Sequence, residues 1–221
     1  MAAKRNAIAL LSTLFGLVGT CAASAPQPSL DFDRTFAASD DRRQSYYAAT
    51  YRVAGQSHRM EVWRDRDLRI ARRTDDAVET HLSRAAGAVE WSMTVLDLKR
   101  KIRTDIDRTN LLRIGHFTDW FAQAHGLSRP RGPYRLVPVA GVAGVSAIAA
   151  CRWYQLDQAD RSSRLCWSRE QGIALVITDP QGEVEWRVTS TSSIATMSSC
   201  TRYSRKASCL RFPAIMTGQS T

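Results

Sequence analysis

The residues best able to do chemistry in this chain are its cysteines. The stretch "CRWYQLDQADRSSRLCWS" carries Cys151 and Cys166 near its two ends, and Cys200 and Cys209 follow in the C-terminal region. A zinc site would ask for a closer pair such as C-x-x-C together with regularly spaced histidines, because the ligands must converge on one ion. His58, His81, His116 and His125 are instead scattered over different segments and read as surface or strand-face residues. No metal or other cofactor is expected. Four cysteines allow three pairings. Sequence neighbours favour structural disulfides joining Cys151 to Cys166 and Cys200 to Cys209, since each closes a loop short enough for a hairpin or tight crossover.

Catalytic signatures are missing from the sequence. It contains no G-x-S-x-G, no H-E-x-x-H, no phosphate-binding glycine loop and no C-x-x-C-H. Serine, histidine and aspartate are plentiful, yet no spacing favours a triad. The chain reads as a non-catalytic binding protein without catalytic residues.

Cysteine chemistry depends on compartment, and the N-terminus addresses that. "MAAKRNAIALLSTLFGLVGTCAASAPQPSL" places Lys4 and Arg5 before an apolar run from Ala7 to about Val18, followed by small residues. That order is a secretory signal peptide. The uncharged run is shorter than the roughly 20 residues a membrane-spanning helix needs. Cleavage is expected between about Ala23 and Ala25, so residues 1–25 are the signal and the bacterial periplasm is the expected destination. Lipid anchoring at Cys21 is disfavoured, because Thr20 stands where a lipobox wants Gly or Ala.

The 221 residues are 44% hydrophobic, enough for one sizeable core. A single domain over 26–196 is expected, with 197–221 forming a basic, cysteine-containing tail. The formal charge is +10, or about +8 once Lys4 and Arg5 leave with the signal. Such a balance suits an anionic membrane surface, an acidic polysaccharide or an acidic protein. Export argues against nucleic acid. Arg202, Arg205 and Lys206 are the best local candidates for an anionic contact.

From Gln44 to Asp107 apolar residues alternate with polar ones, as in half-buried strands. "HRMEVWRD" sets Met60 and Val62 on one face and Arg59, Glu61 and Trp63 on the other, and the alternation recurs through Ile70, Leu82, Met93, Val95 and Ile106. The breaks between these runs are too short for parallel crossovers. Six strands in sequence should therefore form a broad antiparallel meander. Next, "NLLRIGHFTDWFAQAHGLSRP" shifts to helical spacing, predicting one amphipathic helix capped by Asn110 and ended by Gly126 and Pro130. A Pro/Gly-punctuated connection follows, then further strands in "CRWYQL", "SRLCWS", "GIALVITD" and "EVEWRVTS". Upstream, "LDFDRTFAASDDRRQSYY" carries only a weak helical face. The fold class is α+β, mainly β: a curved antiparallel sheet with a mid-chain helix on its concave face.

This order of elements, with its "VAG", "CRWYQL", "LCWSREQGIALVI" and "GEVEWRVTS" segments, resembles the half-barrel proteins of the bacterial envelope. These are the lipoprotein-localisation-factor (LolA-like) carriers and related periplasmic regulators that sense mislocalised lipoproteins. The resemblance implies a concave apolar face that holds a lipid, an acyl chain or a lipoprotein; the strand alternation and the aromatic helix stripe make Met60, Val62, Trp91, Met93, Phe117 and Phe121 the candidate cavity residues. The other function considered is an envelope regulator or assembly factor that reads a protein partner on its basic sheet surface.

Overall fold

The computed structural model describes residues 28–37, 44–107, 109–110 and 119–193. The expected signal peptide, Phe117, and the tail with Cys200, Arg202, Arg205, Lys206 and Cys209 lie outside the described residues.

Among the described residues eleven strands form one sheet, and every neighbouring pair is antiparallel. The first meander holds β1 (Gln44–Val53), β2 (Gln56–Asp65), β3 (Arg69–Thr74), β4 (Val78–Ser83), β5 (Ser92–Asp97) and β6 (Ile102–Ile106). The second holds β7 (Tyr134–Pro138), β8 (Arg152–Gln158), β9 (Ser162–Ser168), β10 (Ile173–Thr178) and β11 (Val184–Ser193). In space the order runs β6-β5-β4-β3-β2-β1-β11-β10-β9-β8-β7, so β1 and β11 join the two meanders. The sheet curves without closing, as a half-barrel.

Local chemistry explains the turns. Ala54 and Gly55 both have positive φ, 49° and 79°, giving β1 and β2 the two-residue hairpin whose twist matches the strands. Asp75 and Asp76 also adopt the left-handed conformation, and Asp75 Oδ1 accepts the Arg59 amide at 2.8 Å, tying the β3–β4 turn to β2.

Directly paired residues share a face, so the register sorts the two surfaces. One face runs through Leu156, Leu165, Ile177, Trp186, Tyr51, Met60, Val62, Ile70, Leu82 and Met93. It is the concave face and carries the helices. The opposite face carries Trp153, Cys166, Val176, Arg187, Glu61, Trp63, Arg73 and His81. Over β8 to β11 both faces are covered, which is why β10 is buried along nearly its whole length. Arg187 donates to the Ser146 carbonyl at 2.7 Å, pinning the 139–151 connection on the outside.

Two sequence expectations change here. The helix does not run on from Asn110 under a single cap: Asp119 is extended (φ −92°, ψ 103°) and caps a separate six-residue helix, α2 (Trp120–His125), accepting the Phe121 amide at 3.0 Å. A short polar residue that captures a backbone N–H is a helix start, not a helix interior. Second, "YRLVP", read as part of a connection, is strand β7; Pro138 is tolerated because it ends a strand at the sheet edge. Among the described residues, the weak helical face upstream yields α1 (Phe32–Thr35), capped by Asp31. Among the described residues no helix is long and apolar enough to cross a membrane.

Cys151 and Cys166 are bonded, with Cα atoms 5.5 Å apart. Trp153, not Cys151, sits directly opposite Cys166, so the bond joins the residue before β8 diagonally to β9. Closing a loop of this length constrains the unfolded chain by about 3 kcal/mol. Reduction is expected to lower unfolding free energy by about that amount, measured as a shifted denaturant midpoint with and without dithiothreitol. Gly126 ends α2 with φ +70°, and a Cβ there would lie 2.7 Å from Trp186 Cζ2. Gly126→Ala combines left-handed strain with that clash and is expected to cost about 1–3 kcal/mol in the same assay.

Candidate functional site

Half of the candidate cavity residues are brought together. Met60, Val62 and Met93 are 4%, 0% and 3% exposed and share one core cluster with Ile70, Leu82 and the α2 residues Trp120 and Ala124. Trp91 packs at the edge of this cluster, its ring edge-on to Trp120 at 5.9 Å. Phe121 points to a different cluster, where it lies 5.9 Å from Phe32 and 6.1 Å from Trp167. The chain's own helix therefore occupies the space above Met60, Val62 and Met93.

Polar groups fasten α2 to this apolar floor. Arg72 stands opposite Val62 on the concave face, donating to Gln123 Oε1 and to Met60 Sδ. Desolvation by burial holds its pKa below the usual arginine value, with the neighbouring Tyr47 and Tyr51 opposing. Tyr47, 2% exposed, donates its hydroxyl to the Ala124 carbonyl at 3.4 Å, and burial raises its pKa. Trp120 Nε1 donates to Asp67 at 3.0 Å, while Arg84 lies over the Trp120 ring at 4.3 Å and bonds to Asp67.

His125 closes the far end of α2. It is 4% exposed, donates Nδ1–H to the Gly172 carbonyl at 2.5 Å, and stacks near Phe121 at 4.4 Å. The Arg64 guanidinium lies 3.1 Å from the same nitrogen. Burial first, then the Arg64 charge, pushes its pKa down to about 4 despite the Gly172 acceptor. The expected surface or strand-face setting fits His58, ion-paired with Asp75 at 2.6 Å, and His81, near Glu79 at 3.2 Å, but not His125. His116 lies outside the described residues. Alternation through Ile70 to Arg72 carried the signal for a concave guanidinium. Nothing in the sequence marked His125, because its burial depends on where α2 is seated.

The outer face of the first meander is a lattice of charged and aromatic side chains. Arg73 Nε donates to Glu79 at 2.7 Å, and its guanidinium lies 5.6 Å over Trp63. Tyr46 donates to Glu61 at 3.0 Å and Arg59 to the same carboxylate at 2.9 Å. Among the described residues, no three His, Cys, Asp or Glu side chains converge on a point that could hold a metal ion.

The arrangement defines an antiparallel half-barrel whose concave face is covered by α2 over Met60, Val62 and Met93, and whose outer face over the first meander is polar. No protein-family model matches the chain, and no curated protein matches it. Among solved structures it is similar to MucB at 17% identity and a TM-score of 0.36, covering 72% of this chain and 56% of that one. MucB in complex with MucA(peri) gives 19% identity and a TM-score of 0.31, with 69% of this chain and 51% of that chain covered. The Pseudomonas aeruginosa MucA/MucB complex gives 16% and 0.32, with 69% and 53% covered. The chain spans about half the length of these structures. These likenesses are distant; the half-barrel rests on the strand order and register described above.

The His125 environment generates a pH prediction. Its folded pKa of about 4 lies below the ordinary 6.5, so the unfolded chain binds the extra proton first as pH falls. This contribution is fully present above pH 6.5 and is lost as pH drops through about 4, amounting to about 3 kcal/mol. His125→Asn should flatten that part of the stability-versus-pH curve measured by chemical denaturation. An unchanged slope would show that the histidine does not carry it.

Proposed function

We propose that the protein is an exported, non-catalytic envelope regulator or assembly factor that works in the periplasm and binds a protein partner on the outside of its half-barrel. One observation carries this reading: α2 already fills the concave face over Met60, Val62 and Met93, and Arg72 stands bonded within that filling. With that part of the interior occupied, the outer lattice of the first meander offers a surface for recognition. Ion pairs at a protein surface contribute only about 0–1 kcal/mol each to stability, and Arg59–Glu61 and Arg73–Glu79 sit there half-covered. Their value lies in holding Tyr46, Trp63 and Arg73 in fixed positions, and ordered aromatic and arginine side chains are the residues that anchor protein interfaces.

Photo-crosslinking tests this. A benzophenone amino acid replacing Arg59, whose side chain is 60% exposed, should yield one discrete protein adduct in periplasm. Trp63→Ala with Arg73→Ala should abolish the adduct while leaving the thermal transition within a few degrees. An absent adduct, or one indifferent to these substitutions, would contradict the proposal.

A hydrophobic ligand is the second reading, favoured by the apolar continuity of the concave face beneath a helix of only six residues. An acyl chain or lipoprotein would then be lined by Met60, Val62, Trp91, Met93, Phe117 and Phe121, with Arg202, Arg205 and Lys206 near an anionic headgroup. Burial at about 0.8 kcal/mol per CH₂ would have to offset the bonds that α2 makes to Arg72, Tyr47 and Asp67.

A further inference from the structure

We propose that a basic cleft beside α1 binds an acidic peptide segment of the partner. The cleft, of about 470 Å³, lies between the end of α1, the start of β8 and the β9–β10 turn. That volume falls in the range of sites for ligands far larger than a lone phosphate. Its floor is the aromatic pair Tyr154 and Trp167, 8% and 2% exposed, each held edge-on by Phe36 at 5.3 and 5.2 Å. The Cys151–Cys166 bond fixes the adjoining wall and therefore the backbone from which Arg152 projects. The cleft is built before any ligand arrives, which lowers the ordering cost of binding.

Charge identifies the occupant. Arg34, Arg152 and Arg169 all line this cleft, against the single carboxylate of Glu170. Several other surface arginines are matched with the chain's own acids: Arg59 with Glu61, Arg73 with Glu79, Arg103 with Asp105, Arg129 with Asp119 and Arg161 with Glu185. Among the described residues no carboxylate pairs with Arg34 or Arg152, although both are exposed. Guanidinium forks bind carboxylates bidentately, the aromatic floor suits the apolar stems of neighbouring side chains, and Glu170 can accept backbone N–H groups while repelling a dense polyanion. An acidic peptide with interspersed apolar residues meets all three conditions.

This assignment deepens the partner reading and rests on it for the occupant being a polypeptide. The test uses the folded mature protein and a fluorescein-labelled octapeptide of alternating glutamate and leucine, read by anisotropy at low salt. Arg34→Ala with Arg152→Ala should weaken binding at least tenfold. Arg100→Ala with Arg103→Ala, which removes the same charge far from the cleft, should change it less than twofold. Arg34→Lys with Arg152→Lys keeps the charge without the fork and should fall between. Equal losses in both alanine pairs, or no loss in the first, would overturn the site. Inorganic phosphate displacing the peptide at equal concentration, or phosphatidylglycerol vesicles binding as tightly through the same two arginines, would overturn the peptide assignment. Because this assay uses no cellular partner, its result stands apart from the crosslinking result on the outer face.

Discussion

Strand β1 pairs with β11 in an antiparallel seam that sets Ala49 against Val188 and Tyr51 against Trp186. Each meander pairs strands that follow one another in sequence, most of them joined by short turns, so its pairings are local. The seam is not: it brings together segments at opposite ends of the described chain. Loop-closure entropy grows only slowly with length, so a modest set of buried contacts can hold it. Trp186 supplies much of that set. Its indole Nε1 donates to the Ala174 carbonyl at 2.8 Å, its ring lies 6.3 Å from Tyr47, and its edge abuts Gly126 at the end of α2. One side chain thus couples the seam, strand β10 and the seat of the helix. A shift at Ala48/Ala49, where Thr189 Oγ1 donates to the Ala48 carbonyl at 3.2 Å, lets the two strands keep their apolar residues on one face.

With the seam closed, the concave face becomes a hollow that must be filled or left open to a guest. The chain fills it. Six residues of α2 make little stability alone, since a helix so short is marginal without tertiary contacts. Its position comes from Trp120 and Ala124 in the core and from bonds to Asp67, Arg72, Tyr47 and Gly172. Buried polar bonds of this kind specify a register more than they add net stability, because each group first gives up its hydration. Arg72 and Gln123 therefore set where the helix sits.

The strands of the first meander were legible because only one of their faces is buried. Met60, Val62, Ile70, Leu82 and Met93 alternate with polar residues, and a one-residue slip would turn them all outward. Strand β7 was harder to read, being short, at an edge and flanked by Pro133 and Pro138. The expected single helix missed the break at Asp119, because the apolar spacing runs on through Phe121 and Ala124 while the short polar side chain captures the Phe121 amide. The disulfide between Cys151 and Cys166 followed from compartment and spacing, though its diagonal placement needed the register. For the candidate cavity, periodicity identifies the apolar face that holds Met60, Val62 and Met93, and it does not say whether that face meets a ligand or the chain's own helix.

In the reading proposed above, α2 covers the concave floor and the outer lattice meets the partner, so the half-barrel divides its surfaces between stability and recognition. That division is tested most directly by native mass spectrometry, with organic extraction, on mature protein released gently from the periplasm alongside an unrelated exported control. The account predicts the bare polypeptide mass and no acyl species above the control, even after incubation with lipids and lipopeptides. A stoichiometric acyl adduct, reduced by substitutions at Met60 or Met93 that preserve folding, would contradict it and show that α2 yields its place to a guest.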